Sequence, residues 1–428
     1  MVLNKGGFIL FSLKEESNKT KLILYTIMFI FFILGTYTVI KYGDNYLLGN
    51  FNEWNNDDVK YVRSAWTLLN NGKFTYHNVN DETVFIMPGL PYTMAFFMSI
   101  FGKLGGITAF RIFQVTLMSL SFSLIFFIGR FLFNSKVGII SSILSILYLP
   151  NLFTPNLLLT EVIFYFLILL LVYTTLVAIK SKKIKHYIIG GVVWGIGALF
   201  RPTVGAYPIV VLILWIYNNY KFKDILKFTI IVSSVFCLVM SPWWIRNYKE
   251  FNRFIPFTLS SGNPMIQGSY INYDTNIDFH PWETTDDVIK QEEYYKDNLV
   301  YRFKNYILKK PLTYAKWYLL DKTLILWISP FYWKPVYNIH IVFVGIYHLL
   351  LLTLGFIGMY SIHKKSKNNK VDKTARILFW LFIYYSLIHI PYITFNRYSY
   401  PMIWIFVTSS AFLINNILTK KTKTNIKY

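Results

Sequence analysis

Charge is scarce in this sequence. Only 15% of its 428 residues are Asp, Glu, Lys or Arg, where a water-soluble domain carries about a quarter. Such a chain cannot clothe a surface that faces water on every side. Acids are scarcer still, 21 against 43 Lys plus Arg. Cysteine occurs once, as Cys237 inside an apolar run, which excludes an internal disulfide and reads as a small core residue. Two kinds of motif are missing as well. Neither G-x-x-x-x-G-K-[ST] nor a strand-borne G-x-G-x-x-G is present, and no His stands in an H-E-x-x-H pattern. No internal repeat of the kind that builds many transporters is visible.

What fills the chain instead is hydrocarbon. Uncharged runs such as 22–40, 137–160, 162–179, 202–220, 335–362 and 398–419 recur along its length. Runs of about 18 or more apolar residues are what a helix needs to cross roughly 30 Å of hydrocarbon. The expectation is an all-α polytopic membrane protein with about 10–13 transmembrane helices. Two shorter apolar pieces, 86–101 and 319–333, suit interfacial, re-entrant or spanning segments. No small-residue cleavage site follows the first run, which reads as an uncleaved signal-anchor. GGVVWGIGAL at 190–199 lies within a span, where its glycines permit close helix packing.

The net charge of +22 is a record of orientation. Lys and Arg cluster in short segments between spans, at 5–21, 180–185, 221–227, 364–376 and 420–427, and short basic loops stay cytoplasmic. No patch interleaves aromatic with basic residues as a strand-binding surface would, so nucleic acid is not an expected partner. Threading the basic loops gives a cytoplasmic tail at 1–21 and a transmembrane module at 22–245 whose loop 42–106 is external. An external loop domain follows at 246–335, then C-terminal transmembrane helices at 336–418 and a cytoplasmic tail at 419–428. All acids but Glu15, Glu16, Asp224 and Asp372 then lie outside. Glu161, the only acid between Glu82 and Asp224, falls at the outer end of a span, as do Arg201, Arg246 and Arg397. An acid embedded among apolar residues is costly and marks function by default. An arginine at a span end is as often an interfacial anchor.

The stretch FNEWNNDDVKYVRSAWTLLNNG carries an adjacent acidic pair, Asp57 and Asp58. Asn and Asp start helices, and Asn-Asn-Gly stops them. Val59, Val62, Trp66 and Leu69 share one face, suiting a helix in the outer interface. Capping needs only one of the two acids.

The order of segments is what resembles a family. The acidic pair after the first span is followed by a helix containing Tyr61, then MPGLPYTMAFF at 87–97 and LLLTE at 157–161. GIGALFRPT at 195–203, PWWIRNY at 242–248 and NRYSYP at 396–401 complete the series. The chain resembles the C-fold glycosyltransferases of the protein O-mannosyltransferase and aminoarabinose-to-lipid A transferase superfamily. The resemblance covers about residues 20 to 260 well and the C-terminal third loosely. It implies inverting transfer of a sugar from a polyprenyl-phosphate donor to a lipid, glycan or protein acceptor, on the external face of the cell membrane. Asp57 takes the place of the family's base, with Asp58 and Glu161 as further catalytic acids. Tyr61, Arg201, Arg246, Asn247 and Arg397 become candidate donor and acceptor contacts. The pair here is Asp-Asp rather than the commoner Asp-Glu, and Met87 stands where some relatives carry a basic residue.

The chemistry fits those residue types. A hydroxyl is a poor nucleophile until a carboxylate takes its proton, a contribution of about 10²–10⁴-fold. Arginine is permanently charged and fork-shaped, suited to a leaving phosphate. Asp57, Asp58, Glu161, Glu82 and His77 are outer-face candidates for a divalent cation, without any fixed ligand spacing. The rival reading is a transporter or flippase of lipid-linked sugars, whose functional residues would lie near the bilayer midplane rather than at one face.

Overall fold

The computed structural model describes residues 11–276, 279–281, 283–285 and 287–425. Most of the expected N-terminal tail (1–10) and the last residues of the C-terminal one (426–428) lie outside that range. Among the described residues there is no strand. The long helices are α1 (Asn18–Tyr42), α2 (Asp57–Asn71), α3 (Gly89–Leu132) and α4 (Ser135–Ile146), then the single turn α5 (Pro150–Phe153) and α6 (Glu161–Ser181). They continue with α7 (Ile184–Phe200), α8 (Pro208–Tyr217), α9 (Phe222–Phe251), α10 (Gly262–Ser269) and α11 (Val288–Arg302). The last are α12 (Pro311–Lys316), α13 (Lys322–Trp327), α14 (Ile341–Lys367), α15 (Ile377–His389), α16 (Asn396–Ser399) and α17 (Trp404–Asn425).

The long apolar runs of the sequence are mostly helical, with breaks such as those at 147–149 and 157–160 in the run 137–160. Among the described residues, α1, α3, α6, α9 and α14 are long and apolar enough to cross a membrane, and up to seven spans result if each bent pair counts as one. The bent pairs are α4 with the turn after it, broken by 64°, and α16 with α17, broken by 51°. α7, α8 and α15 are shorter apolar helices. α6 is the most enclosed span and α9 the most peripheral, with 89% and 17% of their apolar windows buried. Cys237, expected in the core, is exposed on α9.

The short run 86–101 does not stand alone. It is the first arm of α3, which doubles back at Gly102, where φ is +72°. The Phe97 ring lies 5.2 Å from that of Phe113, sixteen positions on, and a Cβ on Gly106 would sit 2.5 Å from the Met98 Cα. Only a hairpin brings such residues together. The glycines of α7 do what their spacing implies, since a Cβ on Gly195 would come within 2.7 Å of the Val239 Cβ on α9.

α2 starts at Asn56, whose side chain accepts from the Asp57 N–H, and ends at Gly72 in the left-handed region. It packs on α3 with Val59, Val62 and Ala65 buried, while Leu69 is exposed. Contacts gather the 43–88 loop, the 252–340 segment and the 390–403 linker at one end of the bundle. Lys334 bonds to the Leu47 carbonyl, Arg246 to that of Thr83, and the Tyr337 hydroxyl pairs with Thr38 at 2.7 Å. The α10 region, within the expected external loop domain, is an eight-residue helix followed by a tight turn at Ile271–Tyr273.

α14 approaches α17 most tightly at Gly358. A Cβ at Gly358 would lie 2.1 Å from the Ser409 carbonyl oxygen, whereas one at Gly345 on the same helix meets nothing within 4 Å. Gly358→Ala should therefore lower the melting temperature in detergent, by overpacking of about 1–3 kcal/mol. Gly345→Ala should leave it unchanged or raise it, since Ala gains about 1 kcal/mol over Gly within a helix.

Candidate active site

The two acids at the start of α2 have separate tasks. Asp58 is fully buried. Its Oδ2 accepts the Leu48 N–H at 2.6 Å, and its Oδ1 accepts those of Gly49 at 3.1 Å and Val59 at 2.9 Å. It ties the loop after α1 to the start of α2. Asp57 points the other way, with its side chain 43% exposed. Its Oδ1 accepts the Tyr76 hydroxyl at 2.7 Å. Its Oδ2 lies 3.2 Å and 3.1 Å from Nη1 and Nη2 of Arg397.

Arg397 continues the network inward. Its Nε is 3.2 Å from Oε1 of Glu161, a carboxylate only 2% exposed. The same oxygen pairs with Nη2 of Arg201, and Arg201 Nε donates to Thr160 Oγ1 at 2.7 Å. Local sequence explains the meeting. Glu161 is the first residue of α6 and Asp57 the first of α2, so both acids sit where the helix dipole favours an anion. Arg201 precedes Pro202, which disfavours helical backbone there. Its φ and ψ of −143° and 120° end α7 and turn the side chain toward the start of α6. Arg397 lies on the four-residue helix α16.

That segment is braced from outside the bundle. The Ile393 N–H donates to the Pro264 carbonyl at 2.7 Å, and the Thr394 N–H donates to the Tyr273 hydroxyl at 2.9 Å. Trp333 Nε1 donates to Asn396 Oδ1 at 3.1 Å.

Electrostatics follow from this pairing. Partial burial pushes the Asp57 carboxyl up, but Arg397 and the Tyr76 hydroxyl outweigh it and hold the pKa below the usual carboxylate value. Tyr61, whose ring is 5.4 Å from that of Tyr76, is pushed well up, by burial first and then by the Asp57 charge. It stands one turn beyond Asp57 on α2. Burial, and then Lys60, lowers His77.

Arg246 and Asn247 sit elsewhere. Arg246 pairs with Glu82, donates to the Thr83 carbonyl at 2.6 Å and packs over the rings of Phe74 and Trp243. Asn247 is buried and donates to the Ile255 carbonyl at 2.9 Å. Both hold loops, and among the described residues no contact joins either to Asp57, Glu161, Arg201 or Arg397. Sequence reasoning missed Tyr76 and Thr160. Nothing in the spacing of FTYHN or LLLTE points to either side chain.

A divalent cation does not fit the acids as they stand. Among the described residues no group of three or more His, Cys, Asp or Glu is gathered. Both oxygens of Asp58 face backbone N–H groups. Asp57, Glu161 and Glu82 each face a guanidinium, and His77 packs against the Tyr76 and Phe85 rings.

Comparisons with known proteins bear on the fold. The family model described as dolichyl-phosphate-mannose-protein mannosyltransferase matches residues 86–245. The archaeal oligosaccharyltransferase AglB from Archaeoglobus fulgidus, solved with an inhibitory peptide and a dolichol-phosphate, superposes with a TM-score of 0.56 at 14% identity. ArnT from Cupriavidus metallidurans, solved with undecaprenyl phosphate, gives 0.51 at 11% identity. They match 94% and 93% of this chain, which spans only 51% and 60% of their own lengths. No curated protein sequence matches the chain. The chain shares its fold with these two membrane proteins.

The two acids should separate by experiment. Asp58→Ala leaves backbone donors unsatisfied and should cost about 1–3 kcal/mol, read as a lower melting temperature. Asp57→Asn should lower stability slightly near neutral pH, by the small amount a half-exposed ion pair is worth. Because the Asp57 pKa is depressed on folding, its stabilisation is present above the unfolded value of about 3.9 and is lost as pH falls through the folded one. The wild type and Asp57→Asn should therefore converge in stability as the pH falls below about 3.9, in thermal melts taken across that range.

Proposed function

We propose that this protein transfers a sugar from a polyprenyl-phosphate donor to a hydroxyl acceptor, with Asp57 as the general base. The observation that carries the reading is a half-exposed carboxylate, kept ionised, beside a partly buried pair of arginines at one end of a membrane bundle. AglB and ArnT, which share the fold, were each solved with a lipid phosphate. The acceptor oxygen attacks the anomeric carbon as the bond from that carbon to the phosphate oxygen breaks. The acceptor proton goes to Asp57 Oδ2 or Oδ1, and the bond electrons leave with the lipid phosphate. Direct displacement inverts the anomeric centre. Arg397 is the cation nearest the base and the natural holder of the leaving phosphate, with Arg201 behind it. Tyr61 lines the same opening. The basic segments of the sequence support an external site in the cell membrane, with 42–106 and 246–335 outside.

Purified protein incubated with labelled polyprenyl-phosphate sugars and a membrane or cell-wall fraction tests the reading. Asp57→Asn should reduce transfer by about 10² or more with little change in melting temperature. Arg397→Lys should raise the donor KM, because an ammonium cannot make the forked contact. Full activity in Asp57→Asn removes the base from the mechanism.

A further inference from the structure

The helical limb α12–α13 carries large apolar residues on both of its sides, and among the described residues only one side has a partner. Its inner side carries Tyr314, Trp317, Lys322, Leu326 and Trp327, all buried. Trp317 Nε1 and Lys322 Nζ both donate to the Gly268 carbonyl, at 3.0 Å and 2.9 Å. The outer side carries Leu312, Leu319, Leu320, Leu324 and Ile328, each exposed, with Leu312 at 85%. The spacing 312, 320, 324, 328 is one stripe, continued through the π-helical turn Trp317–Asp321 and broken only at Lys316, whose ammonium pairs with Asp321 at 2.9 Å. A contiguous stripe of this kind is rare on surfaces that meet water.

The limb also runs into the spanning bundle. The Trp327 ring lies 5.4 Å from Phe382 on α15 and 5.3 Å from Phe406 on α17, and its carbonyl is 2.7 Å from His348 Nε2 on α14. The exposed stripe therefore continues the outward apolar surface of the spans, where α15 exposes Phe379 and Leu387 and α14 exposes Phe343 and Ile346. At the other end, Lys309 and Lys310 are exposed just before Pro311. Lysines in that position extend to lipid headgroups while their stems cover apolar surface.

We infer that α12–α13 is seated in the membrane, its Leu312–Ile328 stripe in contact with lipid acyl chains of the leaflet at the candidate site's end of the bundle. The occupant is hydrocarbon, in a surface continuous with that of the spans. This seating has a consequence for the site. Lys322, on the opposite side of the same helix, donates to the Ile390 carbonyl at 2.6 Å, in the linker that carries Arg397. The limb thus sets the height of that arginine relative to the bilayer.

The test uses the full chain with Cys237→Ala in nanodiscs, bearing one cysteine at a time labelled with the environment-sensitive fluorophore NBD. Leu312→Cys, Leu320→Cys and Leu324→Cys report on the stripe, and Lys290→Cys on α11 is the water-facing control. Circular dichroism melts confirm folding of each variant. The stripe positions should emit at shorter wavelength than the control, and lipids carrying a doxyl group on the acyl chain should quench them at least twofold more strongly. Emission equal to the control at all three positions overturns the inference. Short-wavelength emission without doxyl quenching also overturns it, because a protein partner such as a second copy then covers the stripe. Neither readout depends on sugar transfer, so the two proposals stand or fall separately.

Discussion

One buried carboxylate organises this end of the molecule. Glu161 is 2% exposed and its Oε1 faces two guanidinium groups, those of Arg201 and Arg397. A lone ionised carboxylate in such a place would cost several kcal/mol. Each arginine alone would be as poorly placed. Together they draw the first turn of α6, the end of α7 and the linker before α17 to one point. Asp57 then completes the row from α2, so four stretches far apart in sequence are fixed relative to each other by charge. Removing Glu161 would leave Arg201 uncompensated, and breaking a buried pair in this way typically costs about 3–5 kcal/mol.

Charge alone would not give a defined geometry, and the neighbouring loops supply it. Asp58 and Lys334 hold the 45–49 turn, while Arg111 pairs with Asp44 and donates to the Asn156 carbonyl at 2.8 Å. Arg246 and Glu82 fix the loop before α3 against the end of α9. Pro264, Tyr273, Lys322 and Trp333 grip the 390–396 linker. Tyr273 does so from a left-handed backbone, with φ at +59°. Such a conformation is unfavourable for a bulky side chain and persists only where surroundings over-determine it. Here the surroundings are the two hydrogen bonds between its hydroxyl and Thr394.

How much of this was legible follows from what each feature depends on. Helices written as long apolar runs were readable, because hydrocarbon length is a property of consecutive residues. So were the stop at Gly72 and the close packing of Gly191 and Gly195. Glu161 stood out because a lone acid in an apolar run has few structural excuses. Asp57, Arg201 and Arg397 could be grouped by the end of the bundle they occupy. Which acid of the pair faces inward could not be read, since one residue of rotation on a helix start decides it. The hairpin at Gly102 was equally hidden, for a single left-handed glycine separates two arms from one long helix. Arg246 looked like Arg397 in sequence, and only tertiary contact shows that its partner is Glu82. Tyr76 was invisible for the same reason.

The row of charges bears on how a lipid phosphate could be received, on the proposed reading of the site. Asp57 and Glu161 match Arg397 and Arg201 in number, so the cluster is neutral before any ligand arrives. A phosphate cannot simply be added to it without an unbalanced negative charge. Exchange is the cheaper route. Arg397 touches both acids, and of these Asp57 is half exposed while Glu161 is enclosed. Water can solvate Asp57 when it is released, and cannot do so for Glu161. A phosphate reaching Arg397 would therefore displace Asp57 and leave the Glu161 pairing intact. Loss of the guanidinium raises the proton affinity of Asp57, since a neighbouring cation was what held its pKa down. The step that secures the leaving group would in this way strengthen the base, and only when donor is bound.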